Sequence, residues 1–498
     1  TENEIGIRLR ATQQNPSVLP AESLYAIEHD TMDTTFRSMY QGLYIYLSAR
    51  KERRDLLLSQ RPPRFDESLD SMISRSEDDF TRIALKAKAA QDYFLLIGPP
   101  GTGKTSCALK KMVETFHADK DAQILLLSYT NRAVDEICKS LASIAPAVDF
   151  IRVGSELSCD EAYRGHLIEN ELSSCSRRSE VYERIRNCRI IVGTVAAISG
   201  KPELFCLKHF DVAIIDEATQ ILEPQLLGIL CARGEDGKDA IDKFVLIGDH
   251  KQLPAVVQQN TEQSAIYDES LLSIGLTNLK DSLFERLYRN CTATVHRSYD
   301  MLCRQGRMHP EVALFANRAF YGGRLIPVGL PHQIESSDTI CRLAFYPSVP
   351  EKAGASAKIN YSEARIVADL AARIYEDHQT DFDESRTLGI ITPYRSQIAL
   401  IKKEIESLGI PALNRILVDT VERFQGSERD VIIYSFCVNY PYQLKFLSNL
   451  TEEEGVLIDR KLNVALTRAR KQMFITGVPE LLERNPLYKS LLKLIESF

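Results

Sequence analysis

The feature that most constrains this chain is a glycine-rich octapeptide that follows a short apolar run. Residues 98–105 read Gly-Pro-Pro-Gly-Thr-Gly-Lys-Thr and fit the pattern G-x-x-x-x-G-K-[ST]. The run Tyr93–Ile97 precedes them, and Ser106–Phe116 has the pattern of a helix. In such a strand–loop–helix unit, backbone N–H groups and the helix N-terminus surround phosphate groups. The motif therefore predicts a parallel α/β domain that binds a nucleotide.

The residue types of this loop suit a nucleoside triphosphate. Glycine lets the backbone turn its N–H groups inward, the Lys104 ammonium neutralises phosphate charge, and the Thr105 hydroxyl ligates Mg²⁺. We therefore expect ATP and Mg²⁺ as cofactors. A Gly/Pro-rich turn that matches by chance is the alternative, and the flanking strand and helix argue against it. The predicted nucleotide-binding residues of the loop are Gly98, Pro99, Pro100, Gly101, Thr102, Gly103, Lys104 and Thr105.

Two carboxylates follow a second apolar run, Val212–Ile215. Because the carboxyl ends of parallel strands face the ligand, Asp216 is expected to hold Mg²⁺ through water and Glu217 to polarise the attacking water. An Asp-Glu pair alone is more often a solvated strand end, but the loop upstream favours the catalytic interpretation. A third run, Phe244–Ile247, leads to Gln252. Its amide suits the γ-phosphate or the attacking water, although a polar loop would explain its position equally well.

Short apolar runs alternate with helical stretches in two parts of the chain. Uninterrupted runs of this length are typical of parallel strands covered on both faces, so we predict an α/β fold with two parallel-sheet domains. The predicted strands are Phe94–Ile97, Ile124–Leu127, Ile190–Val192, Val212–Ile215 and Phe244–Ile247 in the first part, and Leu388–Ile391, Ile416–Val418, Val431–Ser435 and Met473–Thr476 in the second.

The same pattern predicts a division of the chain into three parts. Residues 1–79 form a helical N-terminal segment with a helix over Phe36–Gln60 that Pro62-Pro63 ends, and a further helix covers Phe80–Ala90. Residues 80–290 form the first domain, with a helical insertion at about 155–188. Residues 291–498 form the second domain, in which 330–360 is a long connection.

Composition limits the class of protein. The 498 residues suffice for about three domains, and a net charge of −7 shows no basic footprint of a passive nucleic-acid coat. The 11 cysteines form no Cys-x-x-Cys pair, so free thiols in a cytoplasmic compartment, or a nuclear one in a eukaryote, are expected. No apolar run approaches the length of a membrane span, so no membrane partner is expected. The missing initiator Met suggests a longer natural chain.

Taken in order, the short motifs resemble those of superfamily 1 helicases, in particular the 5′-to-3′ branch that contains the nonsense-mediated-decay helicase. Each motif is modest alone, and the ordered set is specific. In the first domain the motifs are Gly98–Thr105, Tyr129–Asp135, Gly193-Thr194, Asp216–Gln220 and Gly248–Pro254. In the second domain they are Gln305–Pro310, Phe320–Gly323, Thr392–Gln397, Asp419–Asp430 and Leu462–Arg470.

The resemblance implies two RecA-like P-loop NTPase domains with ATP between them. It implies that Arg307 and Arg468 reach the γ-phosphate from the second domain, where an arginine stabilises transition-state charge only when the cleft is closed. Glu428 would bind the ribose, and the helix near the N-terminus would be a stalk. The full predicted catalytic set is Lys104, Asp216, Glu217, Gln252, Arg307 and Arg468. The predicted contacts to nucleic-acid backbone are Thr130, Asn131, Thr194 and Thr420.

Two departures from the family pattern concern the base of the nucleotide. Gly306 stands where the family has a Tyr that stacks on adenine, and no Gln before the loop clearly matches the residue that reads the adenine edge. We therefore expect a relaxed preference among nucleotides. Tyr288 and Tyr299 are candidate substitutes for the missing ring.

The sequence thus predicts an ATP-dependent helicase or translocase that moves along single-stranded DNA or RNA, with 5′-to-3′ polarity implied by the resemblance. One alternative is a nucleic-acid-stimulated ATPase that remodels nucleoprotein complexes without unwinding. Another is a nucleotide-dependent binding or regulatory module, against which Glu217, Arg307 and Arg468 argue. A nuclease-fused enzyme is a third, although no metal-nuclease signature is recognisable. Backbone contacts do not distinguish DNA from RNA unless a 2′-OH is read.

Overall fold

The computed structural model of the protein describes residues 34–497, except 261, 295, 336–339, 352–355 and 454. The chain forms two compact units, residues 1–37 and 38–498. Within the first unit only residues 34–37 are described, and they are helical. The predicted N-terminal segment 1–79 therefore lies partly outside the described residues. Both α/β domains belong to the second unit.

The strands form two main sheets and two small ones. In chain order the strands are β1 (Tyr93–Ile97), β2 (Ile124–Ser128), β3 (Phe150–Val153), β4 (Ile190–Thr194), β5 (Phe210–Ile215), β6 (Ile241–Gly248), β7 (Tyr299–Met301), β8 (Arg304–Gln305), β9 (Ile326–Pro327), β10 (Leu343–Pro347), β11 (Leu388–Ile391), β12 (Leu417–Asp419), β13 (Arg429–Ser435), β14 (Leu450–Glu453), β15 (Val456–Asp459) and β16 (Ala469–Gly477).

Both main sheets are parallel throughout. The first has the order β3-β4-β2-β5-β6-β1-β7, and the second has the order β10-β16-β13-β11-β12. β8 and β9 pair in parallel, and β14 and β15 form an antiparallel hairpin. The predicted fold class, with two RecA-like domains built on parallel sheets, is confirmed, and each of the nine predicted strands overlaps an observed one.

Helices cover both faces of the sheets. They are α1 (Thr34–Ser48), α2 (Lys51–Leu57), α3 (Asp70–Arg75), α4 (Asp79–Ala89), α5 (Lys110–His117), α6 (Asn131–Ala142), α7 (Ile168–Glu171), α8 (Arg178–Asn187), α9 (Val195–Ser199), α10 (Glu203–Leu207), α11 (Glu223–Leu230), α12 (Glu269–Ser273), α13 (Leu283–Ala293), α14 (Pro310–Tyr321), α15 (Pro331–Ile334), α16 (Tyr361–Asp377), α17 (Arg395–Ser407), α18 (Val421–Phe424), α19 (Leu444–Leu447), α20 (Arg460–Leu466), α21 (Pro479–Leu482) and α22 (Pro486–Glu496). Short 3₁₀ turns lie at Glu67–Leu69, Glu156–Ser158, Glu161–His166, Ala218–Gln220, Leu413–Arg415 and Pro441–Gln443.

The first sheet is apolar on both faces because successive residues of a strand point to opposite sides. Along β1, Leu95 and Ile97 belong to one buried cluster, and Phe94 and Leu96 belong to another. All five residues of β1 are buried. The uninterrupted apolar runs of the sequence follow from this burial on both sides. Among the described helices, none is long and apolar enough to cross a membrane.

The predicted single helix over residues 36–60 is wrong in one respect. Two helices occupy this stretch, α1 and α2, and the chain is extended at Arg50 between them, with φ −59° and ψ 145°. The second helix ends at Leu57, before the two prolines, because Ser59 adopts a left-handed conformation with φ 57°. The predicted helix over 80–90 is confirmed as α4.

Three strands of the two main sheets were not predicted, and neither were β8, β9, β14 and β15 of the two small sheets. β3 contains Arg152, which interrupts the apolar pattern but is buried and paired with Asp135. β7 is a partly exposed edge strand, and β10 lies in the segment that was interpreted as a connection. Because β7 pairs with β1, the first sheet continues to Met301, beyond the domain boundary proposed at 290. The insertion at 155–188 contains two 3₁₀ turns, α7 and α8.

Candidate nucleotide-hydrolysis site

Three loops that are far apart in sequence meet at one edge of the first sheet. β5, β6 and β1 are neighbours in the sheet; Asp216 follows β5, Gly98 follows β1, and Gly248 is the last residue of β6. The backbone N–H of Gly98 donates to the carbonyl of Gly248 at 2.9 Å, which ties two of the loops together. Ligand sites of parallel sheets lie at this edge, so the topology places the predicted motifs side by side.

The glycines of the phosphate-binding loop are required by its conformation. Gly101 and Gly103 have left-handed φ values of 73° and 75°. A Cβ on Gly98 would lie 2.0 Å from Cγ of Lys104, so a side chain there would displace the lysine. The following helix begins at Lys104, earlier than predicted, with a π-helical turn over Lys104–Leu109 that continues into α5. The loop thus has the backbone shape that a phosphate cradle needs.

The loop contacts the acidic pair through two side chains. Thr105 Oγ1 donates to Asp216 Oδ2 at 2.5 Å, and Lys104 Nζ lies 3.7 Å from Glu217 Oε1. Glu217 sits in a left-handed conformation with φ 53°, and Gln220 Nε2 donates to its Oε2 at 2.8 Å. A strained backbone at this position turns the carboxylate toward the lysine, which is a common feature of functional sites.

The two carboxylates differ in their electrostatic surroundings. Burial, together with the charge of Glu217, raises the pKa of Asp216 to about 6, although Lys104 opposes this shift. Burial also raises the pKa of Glu217, but the Lys104 ammonium and the Gln220 amide outweigh it and hold this pKa below its usual range. Glu217 is therefore ionised at neutral pH and has the charge that a base requires.

The second domain contributes two arginines to the same place. Arg307 Nε donates to Glu428 Oε2 at 2.5 Å, and its Nη1 donates to the carbonyl of Thr467 at 3.2 Å. Arg468 is 2% exposed. Burial, followed by the charge of Arg307, lowers the pKa of Arg468 to about 9. Both arginines line the same cleft, so the two cations are suited to an anionic ligand between them.

Gln252 connects the two domains directly. Its Nε2 donates to Asp249 Oδ2 at 2.7 Å, and its Oε1 accepts from Arg468 Nη2 at 3.2 Å. Tyr321 of the second domain also donates to Asp249 Oδ2, at 2.7 Å, and accepts from Asn463 Nδ2 at 2.8 Å. The phosphate-binding loop joins this interface, because Gly101 accepts from the N–H of the second domain's Gly306 at 2.8 Å.

Side chains from both domains line one cleft of about 590 Å³. All six predicted catalytic residues line it, as do residues 99–105 and Glu428. Three further cations that line the cleft were not predicted as site residues, and each carries the positive charge that attracts phosphate groups: Arg132, Lys139 and Arg429. The cleft is large enough for a nucleoside triphosphate, since small-molecule sites have volumes of about 300–1,000 Å³.

Comparison with known proteins agrees with this geometry. Two family models, both described as AAA domain, match residues 74–180 and 169–260 in the first domain and 279–480 in the second. The Gallus gallus protein named DNA replication ATP-dependent helicase/nuclease DNA2 is 29% identical over 96% of this chain. The chain belongs to helicase superfamily 1.

These similar proteins differ in how much of their own length this chain covers. The chain spans 45% of the chicken protein, which is less than half. The Saccharomyces cerevisiae protein named DNA polymerase alpha-associated DNA helicase A is 24% identical over 92% of this chain and is covered over 73% of its own length. The Arterivirus nonstructural protein 10 helicase in complex with DNA is 16% identical, with 82% of this chain and 65% of that one covered and a TM-score of 0.41.

The predicted nucleic-acid contacts of this superfamily 1 chain lie at carboxyl ends of strands. Thr130 and Asn131 follow β2, and Thr194 ends the neighbouring β4. The hydroxyls of Thr130 and Thr194 accept from the N–H groups of Ala133 and Ala197, and so cap α6 and α9. Thr130 also lines the nucleotide cleft. In the second domain, Thr420 follows β12 and precedes α18.

The candidate substitutes for the missing adenine-stacking ring lie elsewhere. Tyr288 and Tyr299 pack edge to face, with ring centroids 5.5 Å apart, and neither lines the nucleotide cleft. Beside Gly306 the nearest side chains are aliphatic: a Cβ there would lie 3.3 Å from Leu330 Cδ1 and 3.4 Å from Val328 Cγ2. The surface next to Gly306 is therefore apolar and carries no aromatic ring at those two positions.

Proposed function

We propose that this chain is an ATP-dependent helicase or translocase that hydrolyses ATP between its two RecA-like domains and moves along single-stranded nucleic acid. The observation that carries the proposal is the meeting of Lys104, Asp216 and Glu217 with Arg307 and Arg468 of the second domain in one cleft. Hydrolysis of the γ-phosphate needs a water-orienting acid on one side and cations around the phosphoryl oxygens. These five residues supply the acid and the cations, and they come from two domains.

The residues present fit a magnesium nucleotide. The Thr105 hydroxyl and the Asp216 carboxylate lie 2.5 Å apart and offer the hard oxygen ligands that Mg²⁺ prefers. Held by these two side chains, Mg²⁺ would supply positive charge that offsets the charge of the phosphate groups. Lys104 neutralises the same phosphates, and backbone N–H groups between residues 101 and 105 donate to them. We assign the contact to the ribose hydroxyls to Glu428, whose side chain lines the cleft.

Glu217 and the two arginines are assigned the remaining steps, activation of water and stabilisation of the transition state. The ionised Glu217 orients a water molecule and accepts its proton, while Arg307 and Arg468 stabilise the negative charge that develops on the γ-phosphoryl oxygens. Gln252 links Arg468 to the loop after β6 and so reports whether the domains are closed. Because the arginines and the carboxylates sit on different domains, hydrolysis requires closure, and release of phosphate permits opening.

Alternate closing and opening of the cleft moves a bound strand when each domain contacts the backbone of the nucleic acid. We assign these contacts to Thr130, Asn131 and Thr194 on the first domain and to Thr420 on the second. Contacts of this kind position a strand without reading its sequence. DNA is the favoured polymer because the name of the chicken relative refers to DNA replication and that of the yeast relative to a DNA helicase. A 5′-to-3′ direction follows from the resemblance to that branch of the superfamily.

The direct test is ATP hydrolysis by the purified chain, with and without single-stranded DNA or RNA. We expect stimulation by one polymer, which Lys104→Ala and Glu217→Gln abolish, and displacement of a labelled strand from a duplex with a 5′ overhang. Stimulated hydrolysis without strand displacement would favour remodelling without unwinding. Absence of hydrolysis with every polymer would refute the proposal in favour of a nucleotide-binding module.

A further inference from the structure

The tip of the second-domain hairpin β14–β15 reaches the first domain. Both carboxylate oxygens of Glu453 face His250, with Nε2 2.9 Å from Oε1 and 3.1 Å from Oε2. Lys251 Nζ lies 3.4 Å from Oε2 of the same carboxylate. His250 and Lys251 belong to the loop after β6 that also carries Gln252. One acidic side chain thus bridges two successive residues of a loop that lines the nucleotide cleft.

The helix that follows the hairpin contacts the same loop. Asn463, in α20, donates to the carbonyl of Lys251 at 2.7 Å. Arg468, two residues after this helix ends, donates to Gln252 at 3.2 Å. The second domain therefore touches three consecutive residues, 250, 251 and 252, with Glu453, Asn463 and Arg468.

The hairpin and the helix form one rigid unit. The carboxylate of Asp459, at the end of β15, accepts from the N–H groups of Asn449, before β14, and Lys461, in α20, both at 3.0 Å. Tyr488 donates to its other oxygen at 2.8 Å. Asp459 is buried, so these bonds are shielded from water. Movement of the hairpin is therefore coupled to the segment that carries Arg468.

The surroundings of Glu453 strengthen its interaction with the loop. His250 is 6% exposed and packs against Tyr288, with ring centroids 4.8 Å apart and the rings tilted by 30°. Burial raises the pKa of Glu453, but the hydrogen bond from His250 and the charges of His250 and Lys251 lower it to about 2. A second cross-domain ion pair, between Arg460 and Glu285, flanks this contact. The carboxylate is therefore ionised and held when the domains are together.

We propose that Glu453 is a positioning residue for ATP hydrolysis: by bridging His250 and Lys251, it fixes the loop after β6 in the closed cleft and so presents Gln252 to Arg468. This inference rests on the proposed ATPase function. The contact exists only between closed domains, so its free energy favours the state in which the arginines reach the cleft. It contributes nothing to nucleotide binding by the first domain alone.

Glu453→Gln is the variant that tests this role, and Glu452→Gln is the matched control. Glu452 is the preceding residue of β14, is exposed, and makes no ion pair within the described part of the chain. We expect Glu453→Gln to lower the nucleic-acid-stimulated kcat about fivefold to tenfold, as for a partly buried ion pair, with little change in KM or in the affinity for MgADP. The control retains the wild-type kcat.

Two further readouts separate positioning from a general structural defect. The affinity for ADP–aluminium fluoride, a transition-state analogue that requires the closed arginines, should fall in Glu453→Gln in proportion to kcat while the thermal midpoint stays within a degree or two of wild type. In a Lys251→Met background the effect of Glu453→Gln should shrink, because one partner of the carboxylate is already absent.

Each outcome bears on the proposal. Wild-type kcat and analogue affinity in Glu453→Gln, in a chain whose hydrolysis Glu217→Gln abolishes, would overturn the positioning role and leave the ATPase function standing. Equal losses in Glu453→Gln and Glu452→Gln would overturn it too, since the effect would then follow from charge removal. A wild-type chain that hydrolyses no ATP would overturn both the function and this inference.

Discussion

Replacement of Gly101 by alanine should separate hydrolysis from nucleotide binding. Gly101 has φ 73°, and a Cβ there would lie 2.4 Å from Cβ of Arg307 and 3.1 Å from its backbone N. Carbon atoms normally approach to about 3.5–4.0 Å, so the second domain must retreat by about 1 Å. Gly103 is the natural control: its φ is 75°, but the nearest neighbour of a Cβ there is Cys107, in the helix that follows the loop, at 3.2 Å.

The expected magnitudes follow from these two geometries. An alanine in the left-handed region costs about 1–2 kcal/mol at either position, which corresponds to roughly a tenfold loss. Only Gly101→Ala also displaces Arg307, and a misplacement of about 1 Å in a catalytic constellation costs about a further 100-fold. We expect Gly101→Ala to lose about 10³-fold in kcat and Gly103→Ala about tenfold, with comparable affinities for MgADP.

The assay is steady-state hydrolysis at saturating ATP and single-stranded DNA, with MgADP affinity measured by a fluorescent analogue. Equal losses of kcat in the two variants would refute the reasoning, because the contact between Gly101 and Arg307 would then be irrelevant. A Gly101→Ala variant that keeps wild-type kcat would refute it as well, since the domains would not close as the structure shows.

Two other properties follow from single positions. Because aliphatic side chains flank Gly306 in place of a ring, kcat/KM for ATP and GTP should agree within a few-fold, and a strong preference for ATP in competition assays would contradict this. Burial of Glu363 raises its pKa from the ordinary 4.5 to about 7, so the folded state binds an extra proton between these values. This proton's contribution to the free energy of unfolding is fully present below about pH 4.5 and is lost as the pH rises through about 7. The contribution is at most about 3 kcal/mol. Glu363→Gln should reduce the change in the thermal midpoint between pH 5 and pH 8. A variant whose thermal midpoint depends on pH as the wild type's does would show that Glu363 does not titrate in this range.

Much of the site was accessible from the sequence because its chemistry is concentrated in short motifs. Lys104 and Thr105 are adjacent to the glycines that shape their loop, and Asp216 directly follows the strand that positions it. Parallel topology then brings these strand ends together, so their meeting in one cleft required only that the strands be recognised. The roles assigned to these residues remain predictions until the variants are measured.

What the sequence did not reveal depends on partners that lie far away in the chain. His250 and Glu453 are separated by 203 positions, and no pattern around either one indicates the other. β3 was missed because Arg152 interrupts its apolar run, and only the distant Asp135 makes a buried arginine tolerable there. The break between α1 and α2 is set by extended backbone at Arg50, a residue that fits a helix as well as a turn.

The central claim is that the second domain completes the ATP site of the first, and Arg468→Ala tests it most directly. Arg468 is buried at the junction and contacts Gln252 of the first domain. Single-turnover hydrolysis with bound single-stranded DNA should slow by about 10³-fold or more, as for other arginines supplied across a cleft, while MgADP affinity stays near wild type. A variant that hydrolyses ATP within a few-fold of the wild-type rate would contradict the account, because the first domain alone would then perform the chemistry.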